Sequence, residues 1–348
     1  MTSTATALKP GAADLRRPAL VRTVWLLVGL GVIVVLSILS VSFGVRAVSL
    51  DDILAAFGGH TDTVEQAAIV KRMPRTALAV LVGAALALSG AAMQAVTRNP
   101  IADPGILGVS NGASLAVVIG LAFFGATSAF TQMFVAIVGA AVAAVFVYTV
   151  GSLGRGGATP LKLALAGAAT SAALASLISA VLLPRVDLLT AFQSWQVGGV
   201  GGAEWPRIAI TAPALAIGAL ICFACARGMN SLALGDDMAA GLGENVFRTR
   251  LISALGAVIL AGAATAIAGP IGFVGLVIPH LCRMLVGTDH RWLLPFSAIA
   301  GAALLLAADV LGRVIAPSGE EIQVGIITAV IGAPFFIWIV RRQRVREL

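Results

Sequence analysis

Residues Arg98–Ser110 read RNPIADPGILGVS, a polar stretch with two prolines set between two long apolar runs. Residues 76–97 before it carry no formal charge, and residues 104–154 at its far side carry none for 51 positions. A helix crosses the hydrocarbon of a bilayer with roughly 20 apolar residues, so the second run is too long for one span and too short for three. Gly125–Ser128 is the natural break in it. A plain reversal between helices can be made of fewer and blander residues. Prolines, an amide and an acid in one such turn point to a working part of a passage through a membrane.

Working outward, residues 23–45, 163–184, 208–226, 292–308 and 322–340 are also uncharged and each reads as one span. Residues 251–282 are broken by Gly269-Pro270 into two pieces, the second running through Arg283 to about Gly287. The predicted fold class is an all-α membrane protein of about ten transmembrane helices. Residues 1–22 form an expected N-terminal tail, 23–340 the ten-helix transmembrane domain and 341–348 a C-terminal tail. The apolar run after the tail is long enough to span, so it is expected to be a retained helix. Composition agrees: 59% of the chain is hydrophobic and 11% charged, against about 25% charged in soluble domains. Mean hydropathy is +1.00.

Lys and Arg positions set the orientation. An even number of spans puts both termini on one side. With the termini in the cytoplasm, Lys9, Arg16, Arg17, Arg22, Arg98, Arg155, Lys162, Arg227, Arg248, Arg250, Arg283, Arg291, Arg341, Arg342, Arg344 and Arg346 lie inside, sixteen of 23. Arg46, Lys71, Arg72, Arg75, Arg185, Arg207 and Arg313 lie outside. This bias places both termini in the cytoplasm. It also accounts for a net charge of +7 through anionic lipid, without nucleic acid as a partner.

The spans are rich in small residues, as in GAALALSGAAMQA and LALAGAATSAALAS, which suits closely packed helices. Cys222, Cys225 and Cys282 lie in apolar runs and read as packing residues. His280 and His290 flank the eighth span and read as packing or capping groups. His60 falls in an expected external loop. Asp309 and Arg313 have the spacing of an intrahelical pair. No phosphate-binding GxxxxGK[ST] loop is present in the sequence, so ATP and Mg are expected on a partner, with no cofactor or metal held by this chain. A chain of membrane acids such as proton-coupled carriers use is also missing. A secondary transporter, an export permease or a membrane-embedded enzyme remain the rival classes.

Residues 227–250, RGMNSLALGDDMAAGLGENVFRTR, form the longest polar inside segment. Ser231 is expected to cap one short helix, and Asp236 and Asp237 suit the first turn of a second. Gly241 and Gly243 are expected to end it through positive φ. Leu232, Leu234, Met238 and Leu242 would then be apolar knobs for docking a cytoplasmic ATPase.

Several long motifs in order now carry a resemblance. They are residues 72–114, residues 232–248, residues 268–295 (AGPIGFVGLVIPHLCRMLVGTDHRWLLP), residues 308–317 (ADVLGRVIAP) and residues 324–338 (VGIITAVIGAPFFIW). From about residue 25 to 340 the chain resembles the FecCD/vitamin-B12-type permeases. These are membrane subunits of type II ABC importers for ferric siderophores, haem and cobalamin. GTDHRWLLP and DVLGRVIAP look most like ferric enterobactin permeases.

The resemblance implies a dimer of permease subunits, identical or homologous, with two ATP-binding subunits below and an extracytoplasmic substrate-binding protein above. It implies coupling helices at Ser231 to Asn245, including Gly235, Asp236, Met238, Gly241, Leu242 and Gly243. It implies docking arginines at Arg72, Arg75 and Arg313, which fall on the outside against the charge rule. Guanidinium groups suit bidentate pairing with a partner's carboxylates. It also implies a cytoplasmic gate at Asn99 and Ile101 and at Thr159, Pro160 and Leu161. Pro160 and Leu161 depart from the small hydroxyl residues of cobalamin permeases, and Gln323 stands where many relatives have proline. The implied cargo is a ferric siderophore, with cobalamin or haem as alternatives.

Overall fold

Fourteen α-helices and no strand occupy the described residues of the structure, a computed structural model. Those residues are 19–43, 49–59, 61–105, 108–153, 159–316 and 321–342. Lys9, Arg16, Arg17, Arg46, His60, Arg155, Arg344 and Arg346 lie outside them, as do most of the N-terminal tail and of the C-terminal tail.

The helices are α1 (Ala19–Ser42), α2 (Leu50–Phe57), α3 (Val64–Thr97), α4 (Val109–Phe124), α5 (Ala129–Ser152), α6 (Pro160–Leu182) and α7 (Val186–Gln196). They continue as α8 (Trp205–Ala224), α9 (Ala226–Leu232), α10 (Asp236–Gly241), α11 (Val246–Ala268), α12 (Val274–Val286), α13 (His290–Ile315) and α14 (Val324–Arg342). Seven are long and apolar enough to cross a bilayer, namely α1, α3, α5, α6, α8, α11 and α13, and three shorter apolar helices, α4, α12 and α14, complete the ten.

Local chemistry explains most boundaries. Ser128 ends the α4–α5 break by accepting a hydrogen bond from Thr131 N–H as the N-cap of α5. Gly269, at φ 73°, closes α11 where the sequence places Gly-Pro. Helix α3 starts a dozen residues before the expected span. Thr63 caps it, Glu65 sits in its first turn and Pro74 lies inside it. Reading spans by absence of charge stops at Arg75. The structure does not stop there, because Arg72 and Arg75 find partners within the protein. The amphipathic connectors α2 and α7 were not foreseen.

Burial concentrates on α3, α11, α12 and α13, while α1 buries only Ser40 and Val41. In hydrocarbon no hydrophobic force pushes helices together, so close backbone approach must hold them. Gly83 of α3 lies directly against the backbone of Gly301 in α13, and Gly90 against Gly275 in α12. A Cβ at either position would run into the carbonyl of the facing helix. Hydroxyls contribute little across these seams. Those of Thr97, Ser114, Thr149, Ser176, Ser179 and Thr211 donate to the carbonyl four residues back in their own helix. Cross-helix exceptions include Ser89 Oγ to Ala257 O at 2.6 Å and Gln94 Nε2 to Gly275 O at 3.1 Å.

Gly83→Ala is expected to lower stability by about 1–3 kcal/mol through overpacking alone. Thermal unfolding of the purified protein in one detergent measures it. Gly31, inside α1 and beside which a Cβ would meet nothing, supplies the control, and Gly31→Ala should leave the midpoint unchanged or slightly raised.

Candidate coupling, docking and gate sites

At one end of the bundle the chain leaves α8 and runs through α9 and α10 before entering α11. The two short helices expected from the sequence are both present. Their details differ. Ser231 does not cap a helix: it lies within α9, with its hydroxyl 3.5 Å from Arg227 O. The N-cap of α10 is Gly235, at φ 101° and ψ 158°, a conformation that glycine alone takes readily. Gly243 has the expected positive φ, but Gly241 does not and belongs to α10 itself. Leu232 is fully buried and serves as an anchor for α9 instead of a knob.

The knobs that remain are Leu234, Met238 and Leu242, exposed at 59%, 61% and 64%. Phe247, in the first turn of α11, joins them at 77% exposure. Sequence reading missed it because it stands beside Arg248 in a polar stretch. Exposed apolar groups next to charges mark a surface that meets either another protein or the membrane.

The segment is fastened to the bundle by polar ties. Asn230 of α9 donates from Nδ2 to Asp289 Oδ1 at 2.7 Å and accepts from His290 N–H at 2.8 Å. Partial burial pushes the Asp289 carboxyl upward, but hydrogen bonds from Arg291 and Asn230 outweigh it and hold its pKa at about 2. It therefore stays charged at physiological pH. His290 is buried and packs on Asn230, in line with a packing role. Asp236 of α10 receives Arg250 Nη2 at 2.9 Å and lies 3.6 Å from Arg98 Nη1.

Arg98 opens the turn that carries the expected gate residues Asn99 and Ile101. Asn99 Oδ1 accepts from Ile101 N–H at 3.1 Å, and Asp103 Oδ1 accepts from Gly105 N–H at 2.7 Å. Two side-chain-to-backbone turns in succession thus hold this stretch. The second gate stretch begins α6. Thr159 is its N-cap, accepting from Lys162 N–H at 3.3 Å, Pro160 takes the first helical position and Leu161 is exposed.

The opposite end carries the three arginines. Two are not presented to solvent. Asp309 of α13, with no exposed side-chain surface, lies between Arg75 and Arg313, whose side chains are 11% and 3% exposed. Arg75 donates from Nε to Asp309 Oδ1 at 2.8 Å and from Nη1 to Glu321 at 2.6 Å. Arg313 donates from Nη2 to Asp309 Oδ2 at 2.7 Å and from Nη1 to the carbonyls of Ser40 and Phe43, both at 2.8 Å. The intrahelical pair expected between Asp309 and Arg313 is present. Arg72 is half-buried and donates to Val41 O at 2.9 Å. One network thus ties the end of α1 and the first part of α3 to α13 and to the segment just before α14. Of the three arginines expected to dock a partner, Arg75 and Arg313 are engaged by internal carboxylates and carbonyls. Arg72 and Glu321 are the members nearest solvent.

The model of the FecCD transport family matches residues 32–342. The chain belongs to that family. It is 42% identical over 312 residues to the ferric enterobactin transport system permease protein FepD of Escherichia coli (strain K12), covering 89% of this chain and 93% of that one. It is 40% identical over 279 residues to the hemin transport system permease protein HmuU of Yersinia pestis, covering 78% and 82%. A solved structure described as an inward-facing conformation of a metal-chelate type ABC transporter matches with TM-score 0.78 at 28% identity, over 92% of this chain and 99% of that one. This FecCD protein is accordingly the membrane permease subunit of an ABC importer. It is a multi-pass protein of the bacterial inner membrane.

Removing one member of a buried ion network strands the others. Asp309→Asn should cost about 3–5 kcal/mol because two arginines lose their shared carboxylate. Glu321→Gln, at a half-exposed position, should cost under about 1 kcal/mol. Thermal unfolding of the two variants side by side measures the gap, and equal midpoints would show that the arginines find other partners.

Proposed function

We propose that this permease imports a ferric siderophore as one half of a permease dimer driven by two ATP-binding subunits. The termini and α9–α10 face the cytoplasm, and the Asp309 network faces the other side. The supporting observation is the cluster Leu234, Met238, Leu242 and Phe247, held out from the bundle by a buried Leu232 and by Asp236 and Asn230. An apolar face of that kind needs a partner, and an ATPase subunit is the partner the family supplies. The ferric siderophore reading draws on relatives named for ferric enterobactin and for iron(3+)-hydroxamate, both 42% identical. A cobalamin permease, of Halobacterium salinarum, is also among the relatives at 41%. Pro160 and Leu161 weigh against that cargo.

The transport cycle is alternating access. A loaded binding protein docks on the face carrying Arg72 and Glu321, while Arg75 and Arg313 hold that platform together from below. ATP closes the ATPase pair, the coupling helices move, and the turns at Asn99–Ile101 and Thr159–Leu161 open and close the inner end of the path. Apolar side chains beside an amide can seal such a constriction without large motions.

Met238→Asp and Leu242→Asp are expected to abolish co-purification of the ATPase subunits. Both sites are exposed, so the isolated permease should melt within about 0.5 kcal/mol of the unaltered protein. Cargo is read in proteoliposomes that hold permease, ATPase and binding protein, offered radio-labelled ferric enterobactin, ferric hydroxamate, haem or cobalamin in parallel. ATP-dependent accumulation of the two ferric chelates only is the expected result. Accumulation without the ATPase would overturn the reading in favour of a secondary transporter.

A further inference from the structure

The strongest unexplained feature is a charge bracket that joins the coupling segment to the gate turn. Arg98 closes α3 in the left-handed region at φ 51°, and its backbone N–H bonds to Ala95 O and Gln94 O. Glycine suits that position best, as it does at helix ends generally. An arginine there holds a conformation it does not prefer. The bend carries its guanidinium to α10, where Nη1 lies 3.6 Å from Asp236 Oδ1. Gly235 lies beside it: a Cβ there would stand 3.6 Å from the same nitrogen, an ordinary contact.

The carboxylate has a second holder. Arg250, in the first turns of α11, donates from Nη2 to Asp236 Oδ1 at 2.9 Å and approaches Oδ2 with Nη1 at 3.4 Å. Its Nε donates to Val96 O, in the last turn of α3, at 3.2 Å. One aspartate on a six-residue helix is thus gripped from the end of α3 and the start of α11. Helix α10 has few other holds on the bundle, with Ala239 its only buried residue. Whatever displaces α10 must therefore pull on Arg98 and Arg250.

We propose that Asp236, Arg98 and Arg250 are the positioning residues that transmit movement of α10 to the turn at Asn99–Ile101. The inference rests on the ATP-driven import reading above. Arg98 drags the turn directly, because it is the residue that begins it. Arg250 keeps the carboxylate aimed at Arg98 and carries part of the load into α11. The exposed apolar knobs make the grip on the ATPase, and the bracket conveys its stroke.

The test separates structure from transmission. Arg98→Gly removes the charge yet gives the left-handed position the residue that fits it best, so a merely structural role predicts an unharmed or improved protein. Arg98→Lys keeps the charge and the backbone cost. In the reconstituted transporter with ferric enterobactin as probe, Arg98→Gly should bind the ATPase subunits and hydrolyse ATP at close to the unaltered rate, and Asp236→Asn serves as the partner variant at the other end of the pair. Cargo delivered per ATP should fall about fivefold in each, the lower end of ordinary coupling between sites. The double variant should be no worse than either single one, and Arg98→Lys should recover most of the loss. An unchanged ratio of cargo to ATP in Arg98→Gly would overturn the proposal. So would a parallel loss of ATPase binding, which would assign the bracket to docking. Failure of the unaltered protein to import the probe with ATP would instead tell against the import reading itself.

Discussion

Helix contact in hydrocarbon cannot draw on the hydrophobic effect, and everything in this bundle follows from how that lack is met. Leucine is as comfortable against lipid tails as against another helix. What brings α3 into register with α12 and α13 is backbone touching backbone at Gly90–Gly275 and Gly83–Gly301. These contacts put α3 at the centre of the fold. The central position of α3 in turn fixes both candidate sites, because its N-terminal part carries Arg72 and Arg75 and its C-terminal end carries Arg98.

Charge is used sparingly and only near the ends. Asp309 is wholly buried and would be intolerable alone, but Arg75 and Arg313 enclose it and spend their remaining donors on Glu321, Ser40 and Phe43. The arrangement converts a costly buried acid into a clasp over α1, α3, α13 and the segment that leads into α14. At the other end the pairs around Asp236 are half exposed, so each is weaker and more easily rearranged. One end is built to stay put and the other to give.

Much of this was legible in the sequence for simple reasons. Uncharged runs marked the ten apolar helices, Gly-Pro at Gly269 marked a break, and paired acids at Asp236 and Asp237 marked the start of α10. The misreadings share one cause: sequence shows what a side chain is, and not what it meets. Arg75 and Arg313 read as surface groups because charge usually is, yet an acid 234 positions from Arg75 receives its Nε. Leu232 read as a knob like Leu234, and only the packing of α9 separates them. Ser231 read as a cap, but the break falls four residues later at Gly235. Arg98 and Arg250 entered only as inside charges, since nothing local tells that both reach one carboxylate. Phe247 was hidden by its polar neighbours.

The hydroxyls of the spanning helices have a further implication. Thr97, Ser114, Ser176, Ser179 and Thr211 spend their protons on their own helices. Neighbouring spans are therefore joined mainly by dispersion, which is regained as fast as it is lost when one surface slips over another. Leaning of the bundle severs few directional links in its middle, and the energetic toll of a change of shape falls on the ionic fittings at its two mouths. Such a body behaves as a sheaf of smooth rods fastened at the ends, and the pace of its motion is set by the fastenings.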